Sequence, residues 1–308
     1  MKNTPITGMS REEWLALRKQ GIGGSDAGAI CGLNPYASPM SVFYDKTSAE
    51  TEDYDNEAMR QGRDLEDYVA RRFMEATGLK VRRSNVMYWS KEHPFMFANV
   101  DRLVTGENAG LECKTASAYN ADKWKNGGIP EHYEIQCHHY MAVTGADAWY
   151  IAVVVLGREF QYRKILRDEG IIRDLVRIEE DFWNNHILTR IIPEPDGSEI
   201  CDEVIRKYYP NADQPSVILP DCFNAKLERR QELVELIDRM QMEQKQIEQK
   251  IKLYMQGSVL AQNSRYRVTW KGVESARLDA KRLKQEAPEI YRDYINISQS
   301  RRFSVKAA

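Results

Sequence analysis

The sequence contains few cysteines, and their spacing excludes the common cysteine-ligated metal centres. The chain of 308 residues has five, at Cys31, Cys113, Cys137, Cys201 and Cys222, and no two of them are separated by only two residues. Zinc ribbons and iron–sulphur clusters are usually built from such closely spaced pairs. The odd number in a chain of this size favours reduced thiols, so we expect an intracellular protein.

Long apolar runs are absent as well. The longest purely apolar run spans residues 151–156, whereas a membrane-spanning helix needs about 20 residues. Residues 1–14 lack the apolar segment that is typical of a secretory signal peptide. We therefore expect a protein that neither crosses a membrane nor is secreted.

The chain also lacks a strong charge of one sign. Its formal net charge is −2, which excludes passive coating of nucleic acid by a uniformly basic surface. The charges are unevenly distributed: residues 1–220 carry −8, residues 221–264 are neutral and residues 265–308 carry +6. The sequence therefore describes an acidic body with a basic tail, which could bind a DNA backbone, dock a protein or simply be solvated.

Hydrophobic periodicity predicts an α+β architecture for the first 190 residues. An apolar stripe at helical spacing runs through residues 57–77 and stops at Gly78, a typical residue after a helix end. We expect a central mixed sheet flanked by helices. The remaining predicted elements are strands at 79–89, 95–105 and 111–116, a helix at 131–144, a β-hairpin at 148–155 and 159–165, and a helix at 168–188.

The rest of the chain has a different pattern. Proline-containing, irregular sequence at 191–220 predicts a linker, and a seven-residue apolar repeat predicts a long helix within 221–256. That helix forms either a coiled-coil-like hairpin arm or a single helix docked on the body. The basic extension 257–308 is expected to be a small α/β segment with a strand at 266–271, a helical stretch at 279–295 and a last strand near Phe303.

One stretch of the body combines carboxylates with a lysine. Glu112 and Lys114 alternate with Cys113 in a short strand, so they point to the same face and Cys113 points away. Asp101 is expected on the neighbouring strand of the same hairpin, within reach of Glu112. Such a set can bind Mg²⁺ and serve phosphodiester hydrolysis, although a solvated, salt-bridged strand face gives the same pattern.

Two further features of the body fit an active site. Glu66 lies beside the apolar stripe of the helix at 57–77 and could supply a third carboxylate, or it could be an ordinary exposed helix residue. Near the N-terminus, the segment 21–26 (GIGGSD) leads into a helix. It is either a simple turn with an N-cap or an anion site formed by backbone N–H groups.

These residues, taken together, resemble the PD-(D/E)XK nucleases, and within them the phage recombination exonucleases of the YqaJ and lambda-exonuclease type. The resemblance covers about residues 10–190, and Val100 stands where the family signature has proline. Four blocks carry it: Leu17-Arg18 with residues 21–26, Gly62 to Glu66, Asn99-Val100-Asp101 with Glu112 and Lys114, and Gln136 to Tyr140.

The resemblance implies a role for each residue of these blocks. Glu66, Asp101, Glu112 and the backbone carbonyl of Cys113 would bind a pair of Mg²⁺ ions, for which Mn²⁺ could substitute. Lys114 would orient or deprotonate the attacking water, and Gln136 would position Lys114 or that water. Tyr140 would support the helix or contact DNA. Arg18 and Ser25 would bind a terminal 5′-phosphate.

The resemblance also implies a restriction-endonuclease-like core and a function. We expect a Mg²⁺-dependent exonuclease that digests linear double-stranded DNA from 5′ to 3′ and leaves 3′ overhangs for single-strand annealing. Its partners would be double-stranded DNA ends, an annealing protein of RecT type and further copies of itself in a ring, with a trimer as one form. The setting would be the cytoplasm of a bacterium or phage-infected cell. The alternatives are a restriction or repair endonuclease, and a non-catalytic adaptor that binds DNA or a partner.

Overall fold

A computed structural model of the chain describes residues 2–49, 55–212, 215–297 and 300–306. It divides into two compact units, Met1–Tyr209 and Pro210–Ala308. The strands of the first unit are β1 (Lys2–Pro5), β2 (Ile22–Gly23), β3 (Val81–Arg83), β4 (Val86–Trp89), β5 (Met96–Asn99), β6 (Arg102–Val104), β7 (Ala109–Ala116), β8 (Ala148–Val155) and β9 (Glu159–Leu166). Its α-helices are α1 (Arg11–Arg18), α2 (Gly24–Ile30), α3 (Pro39–Thr47), α4 (Glu57–Thr77), α5 (Glu131–Thr144), α6 (Glu169–Phe182) and α7 (Glu199–Tyr208).

The larger sheet has five strands in the order β3-β6-β7-β8-β9. Strands β7 and β8 are parallel, with Glu112 opposite Ile151, and the other pairs are antiparallel. A parallel pair needs a long crossover, and α5 provides it. The result is a mixed sheet in a mixed α+β unit, as the periodicity predicts.

The two faces of this sheet are covered by different helices. On one face, Leu111 packs with Val69 and Phe73 of α4. On the other face, Ile151 and neighbouring side chains pack with Met141 of α5. Because side chains alternate along a strand, each residue of β7 faces either α4 or α5, and this choice decides what it can contact.

The first unit contains a second sheet in addition to the expected central mixed sheet. A second, four-stranded sheet has the order β1-β4-β5-β2, with β2 parallel to β5. Each of the two long predicted strands, 79–89 and 95–105, is divided between the two sheets, with breaks at residues 84–85 and 100–101. Neither break contains glycine or proline, the strongest sequence markers of a change in structure, so the sequence pattern does not reveal the change of sheet.

The predicted linker 191–220 is interrupted by a helix. Ser198 caps α7 by accepting a hydrogen bond from the backbone N–H of Cys201. Cys201 and Val204, which are three residues apart on one helix face, are buried with Met40. This short apolar face holds α7 in the first unit, whereas the five prolines of the segment 191–220 suggested irregular structure throughout.

The second unit contains the long helix that the heptad spacing predicts. It is a single helix, α8 (Asn224–Met255), followed by the antiparallel hairpin β10 (Leu260–Gln262) and β11 (Arg267–Thr269) and by the helices α9 (Ala280–Glu286) and α10 (Pro288–Tyr294). The predicted last strand near Phe303 is wrong: residues 300–306 form no regular element. In the described part of the chain, no helix has the length and apolar character needed to cross a bilayer.

The close packing inside the larger sheet makes one glycine irreplaceable. A Cβ atom on Gly110 of β7 would overlap the indole ring of the buried Trp149, so we expect Gly110→Ala to lower the free energy of unfolding by about 2 kcal/mol. Gly62, in the interior of α4, is the control because its nearest neighbour would be Thr115 Oγ1 at 3.8 Å. Gly62→Ala should raise stability by about 0.5–1 kcal/mol. Urea denaturation followed by circular dichroism measures both, and an unchanged Gly110→Ala protein would contradict this packing.

Candidate active site

The candidate site begins at the point where the chain passes from one sheet to the other. Asp101 lies in the break between β5 and β6, not within the strand where it is expected. Its Oδ2 accepts a hydrogen bond of 2.8 Å from the backbone N–H of Cys113. The next residue, Arg102, pairs with Leu111 of β7. Asp101 is therefore fixed beside β7 although it lies outside the ladder.

Glu112 and Lys114 share the α5 face of β7, as the strand alternation predicts. Lys114 Nζ lies 2.7 Å from Glu112 Oε1 and donates a hydrogen bond of 3.1 Å to Gln136 Oε1 on α5. The side-chain amide of Gln136 donates to the same Glu112 oxygen over 2.8 Å. The Glu112 side chain is 5% exposed. A lysine, a carboxylate and an amide thus form a closed, buried triangle.

Two observations at this cluster fit a bound divalent cation. The Oε2 atom of Glu112 is buried and has no hydrogen-bond partner in the described part of the chain, which is costly unless something else binds it. Burial, together with the carboxylates of Glu112 and Glu66, raises the pKa of Asp101 well above its usual value. Hard carboxylate oxygens in this setting are the ligands that Mg²⁺ prefers. Among the described residues, however, no three His, Cys, Asp or Glu side chains are already gathered as a metal centre.

Lys114 is held as a cation. Burial lowers its pKa, but Glu112 and the other neighbouring groups more than offset this, so the pKa lies above its usual value. The ring of Tyr133, on the first turn of α5, lies under the ammonium group at 4.3 Å from Nζ to the ring centroid. Sequence reasoning missed Tyr133, because only the fold brings the start of α5 over β7.

Tyr140 lies one helical turn after Gln136 and supports it. Its hydroxyl accepts a hydrogen bond of 2.8 Å from the Gln136 amide, and the residue is 5% exposed. That burial suits the supporting role and leaves little surface for direct contact with DNA. Gly24 packs on the ring, since a Cβ atom there would lie 2.5 Å from Tyr140 Cε1. The glycine allows α2 to approach α5 and connects the N-terminal segment to the carboxylate cluster.

The N-terminal segment brings Arg18 and Ser25 together, as expected. Arg18 Nη2 donates a hydrogen bond of 3.0 Å to Ser25 Oγ, and the guanidinium lies 4.7 Å from the ring centroid of Trp14. Ser25 is exposed, so both groups can meet a ligand from solvent. Helix α2 has only seven residues, so binding of an anion here would depend on the side chains of Arg18 and Ser25 more than on the helix dipole.

A buried lysine that sequence reasoning missed supports this segment. Lys46 of α3 has a fully buried side chain, lies 2.8 Å from Asp26 Oδ2 and donates to the Arg18 carbonyl over 3.2 Å. Burial raises the pKa of Asp26, but Lys46 and Arg18 outweigh it and hold the pKa below its usual value. Asp26 also accepts from the backbone N–H of Gly23. The sequence gave no indication of this pair, because Asp26 and Lys46 lie on different helices and 20 positions apart.

Glu66 is close enough to Asp101 to raise the pKa of the Asp101 carboxyl, and it is held by an arginine. It accepts a hydrogen bond from Nη1 of Arg102, whose side chain is 5% exposed. Arg102 is directly opposite Leu111, and opposite residues of an antiparallel pair share a face, so this pair lies on the α4 face of the sheet. The structure therefore brings Asp101, Glu112, Lys114 and Gln136 together and places Glu66 next to an arginine that the sequence did not single out.

A buried pair of His139 and Glu179 connects α5 to α6. His139 Nδ1 lies 2.8 Å from Glu179 Oε1 of α6, and its Nε2 lies 2.8 Å from the carbonyl oxygen of Phe97 in β5. Burial lowers the pKa of His139, but the Glu179 carboxylate more than compensates and raises it. A protonated His139 donates to both partners and so connects α5 to the second sheet.

Comparison with known proteins identifies the family. The YqaJ-like viral recombinase domain matches residues 13–147. A Bacillus subtilis (strain 168) protein named YqaJ, itself uncharacterized, is 38% identical over 304 residues, which are 97% of this chain and 95% of that protein. This chain belongs to the YqaJ-like family. The matched domain contains every residue of the candidate site described above except Glu179.

Solved structures show the same fold. LHK-Exo in complex with dAMP covers 65% of this chain and 98% of its own, with a TM-score of 0.51 and 19% identity. A second structure of LHK-Exo, an alkaline exonuclease from Laribacter hongkongensis, gives a TM-score of 0.50 at the same identity and coverage. At this identity the likeness concerns the fold, which is that of an exonuclease core.

The Asp26–Lys46 pair generates a stability prediction with a defined pH dependence. Asp26→Asn leaves a buried lysine without its carboxylate, so we expect a loss of about 3 kcal/mol at pH 7. Because the folded-state pKa of Asp26 is lowered, the wild-type advantage is present above the unfolded Asp pKa of about 4 and disappears as the pH falls through the folded value.

Asp45→Asn is the matched control, since Asp45 also lies 3.3 Å from Lys46 but is 57% exposed. It should cost less than about 0.5 kcal/mol. Denaturant titrations between pH 3 and pH 8 measure both variants. Equal losses for the two, or a loss independent of pH, would refute the assigned role of Asp26.

Proposed function

We propose that this protein is a metal-dependent exonuclease that digests linear double-stranded DNA from 5′ to 3′. The observation that carries the proposal is the buried triangle of Glu112, Lys114 and Gln136 next to Asp101, in a fold shared with an alkaline exonuclease. Such a combination suits phosphodiester hydrolysis, because carboxylates that can hold a metal ion and a positively charged lysine lie together in a buried cluster. The classification as a PD-(D/E)XK nuclease rests on the same residues.

Mg²⁺ would be held by Asp101, the unpartnered Oε2 of Glu112 and the backbone carbonyl of Cys113, and Mn²⁺ could replace it. When bound, the ion activates water and neutralises the charge that develops on the phosphate. Glu66 would join this set through Oε2, since its contact with Arg102 uses Oε1. A pair of ions per site stays a prediction.

The protein side chains supply positioning and charge. Lys114 carries its proton, so it is suited to orient the attacking water and to stabilise negative charge rather than to remove a proton. Gln136 holds both Lys114 and Glu112, and Tyr140 holds Gln136. The reacting groups are thus fixed before substrate arrives, which lowers the cost of reaching the transition state.

The Arg18–Ser25 pair would bind the terminal 5′-phosphate. An arginine that already donates to a hydroxyl presents its remaining N–H groups in a fixed plane, which suits bidentate phosphate binding. Gly24 packs on Tyr140, Tyr140 contacts Gln136, and Gln136 contacts Glu112. These three contacts connect the phosphate pocket to the carboxylates. Holding the 5′ end there would present the first phosphodiester to the cluster and would set the 5′→3′ direction.

The wider setting is part of the same proposal. A viral recombinase that resects one strand leaves 3′ overhangs, which a single-strand annealing protein of RecT type would use. Ring assembly of several copies would enclose the duplex, and the basic segment 265–308 would serve DNA or partner binding. One structural neighbour is a complex with dAMP, a mononucleotide of the kind that an exonuclease releases. The proposed location is the cytoplasm of the bacterial or infected cell.

Linear and closed circular duplex DNA distinguish this proposal from its alternatives. We expect the wild-type protein with Mg²⁺ to degrade linear duplex and to leave covalently closed circles intact, because digestion starts at an end. Lys114→Ala should lower the rate by about 10²–10⁴-fold, whereas the exposed control Lys91→Ala should keep it. Strand-specific end labels on a gel follow the products.

Each alternative has its own outcome in that assay. Cleavage of closed circles would indicate an endonuclease. Binding without cleavage in Mg²⁺ or Mn²⁺ would indicate an adaptor. Degradation that survives both EDTA and Lys114→Ala would contradict the proposed mechanism.

The phosphate pocket predicts a preference among DNA ends. We expect faster digestion from 5′-phosphate than from 5′-hydroxyl ends, and we expect Arg18→Gln to remove that preference with a loss of about 10–100-fold on phosphorylated ends. Arg11→Gln is the matched control, because Arg11 lies over the same Trp14 ring at 4.7 Å but belongs to no phosphate pocket. Initial rates on the two kinds of end measure the effect, and a preference that survives Arg18→Gln would place the phosphate elsewhere.

A further inference from the structure

Helix α8 carries an apolar stripe that is exposed to solvent. The helix has 32 residues, which corresponds to about 48 Å. Along it, apolar side chains alternate at steps of four and three residues, and Gln244 takes one position of the series. The apolar members, which form the α8 stripe, are Leu233, Ile237, Met240, Ile247, Ile251 and Tyr254. Each is 37% exposed or more, and a continuous row of this kind marks a surface that pairs with another one.

The spacing of the α8 stripe is that of the core positions of a coiled coil. In the heptad notation a to g, the a positions are Ile237, Gln244 and Ile251, and the d positions are Leu233, Met240, Ile247 and Tyr254. A single polar residue at a core position is compatible with such a pair and restricts its register. The side-chain amide of Gln244 donates a hydrogen bond of 3.0 Å to Glu248 Oε1 on the same helix, so a partner can cover it at reduced cost.

The charges beside the α8 stripe disfavour a parallel pair of two copies. Positions e and g lie on either side of the apolar core and decide partner and orientation. Glu243 and Lys250 occupy g, and Glu248 occupies e. In a parallel pair, each g residue faces the e residue of the following heptad of the partner, so Glu243 would face Glu248 on both sides. Like charges in such contacts are destabilising.

An antiparallel pair brings g positions opposite g positions, and one register matches their charges. When Gln244 lies opposite Ile247 of the second copy, Glu243 lies opposite Lys250, and two-fold symmetry forms each contact twice. A shift by one heptad in one direction places Glu243 opposite its own copy. A shift in the other direction does the same for Lys250. Charge complementarity therefore selects a second copy of α8, in one orientation and one register.

We propose that α8 pairs with α8 of a second copy of this chain as an antiparallel coiled coil, with Glu243 of each copy opposite Lys250 of the other. The inference concerns the second unit and does not depend on the proposed nuclease function. Each copy has one α8, so the contact joins two copies, or two rings if the copies also assemble in the proposed ring.

Analytical ultracentrifugation of the full-length protein, without DNA or metal, tests the pairing. Glu243→Lys should raise the dissociation constant of the pair by about tenfold or more, because two attractive contacts become repulsive. Addition of Lys250→Glu exchanges the two charges and should restore the wild-type constant to within about threefold. Glu235→Lys is the matched control, since it makes the same charge change at the outward f position and should alter the constant by less than about twofold.

Disulfide formation tests the orientation. The exposed native cysteine, Cys222, is replaced by serine in every protein used. The register places Met240 opposite Ile251 of the second copy, so Met240→Cys and Ile251→Cys should each give little linked product alone and should link to one another when mixed. Met242→Cys, at the outward f position, is the control and should not link to Ile251→Cys. Electrophoresis without reductant measures the products.

Each contrary result overturns a defined part of the proposal. Wild-type protein with the same mass as the Glu243→Lys variant at all concentrations would mean that α8 does not pair with itself, so that the α8 stripe either binds a different partner or stays exposed. Tighter association of Glu243→Lys, with self-linking of Ile251→Cys, would indicate a parallel pair. A double variant that is no better than Glu243→Lys would reject the register. Circular dichroism verifies that the variants keep their helices, and DNA digestion tests the nuclease proposal separately.

Discussion

The hydrogen bond from the backbone N–H of Cys113 to the carboxylate of Asp101 is the constraint on which the candidate site depends. The chain changes sheets at this point, and a residue in such a break has no ladder partner to fix it. The bond supplies that partner and holds a carboxylate beside Glu112. The N-terminal segment reaches the same break between the sheets, because β2 pairs with β5, the strand that leads into Asp101. The positions of the polar side chains therefore depend on the junction of the two sheets and on the hydrogen bond between Asp101 and Cys113.

Helix α5 turns this convergence into a connected network. Tyr140 and Gln136, one turn apart, join the ring that packs on Gly24 to the carboxylate of Glu112. His139 fixes the same helix to the second sheet. Each polar contact is buried, so the loss of one partner leaves another group unsatisfied, and such groups behave as a unit rather than as independent pairs.

The acidic body is compatible with a stable fold because its inner carboxylates have cations from the same chain. Glu112 is paired with Lys114, Asp26 with Lys46 and Glu66 with Arg102. Buried charges are tolerated only when they are paired and hydrogen-bonded.

Much of the fold was predictable because it is encoded locally. Periodicity predicted α4, α5 and the β8–β9 hairpin, and strand alternation placed Glu112 and Lys114 on one face. The same local patterns could not reveal that two strands divide between sheets, since neither break contains glycine or proline. They could not show α7 within a proline-rich stretch, nor the partners of Lys46 and Arg102. The sequence by itself determined the family, the long helices, the β8–β9 hairpin and the residue types of the site. Only the tertiary structure decided which side chains meet, because partners that are distant in sequence are selected by the sheet face and the helix that each one packs against.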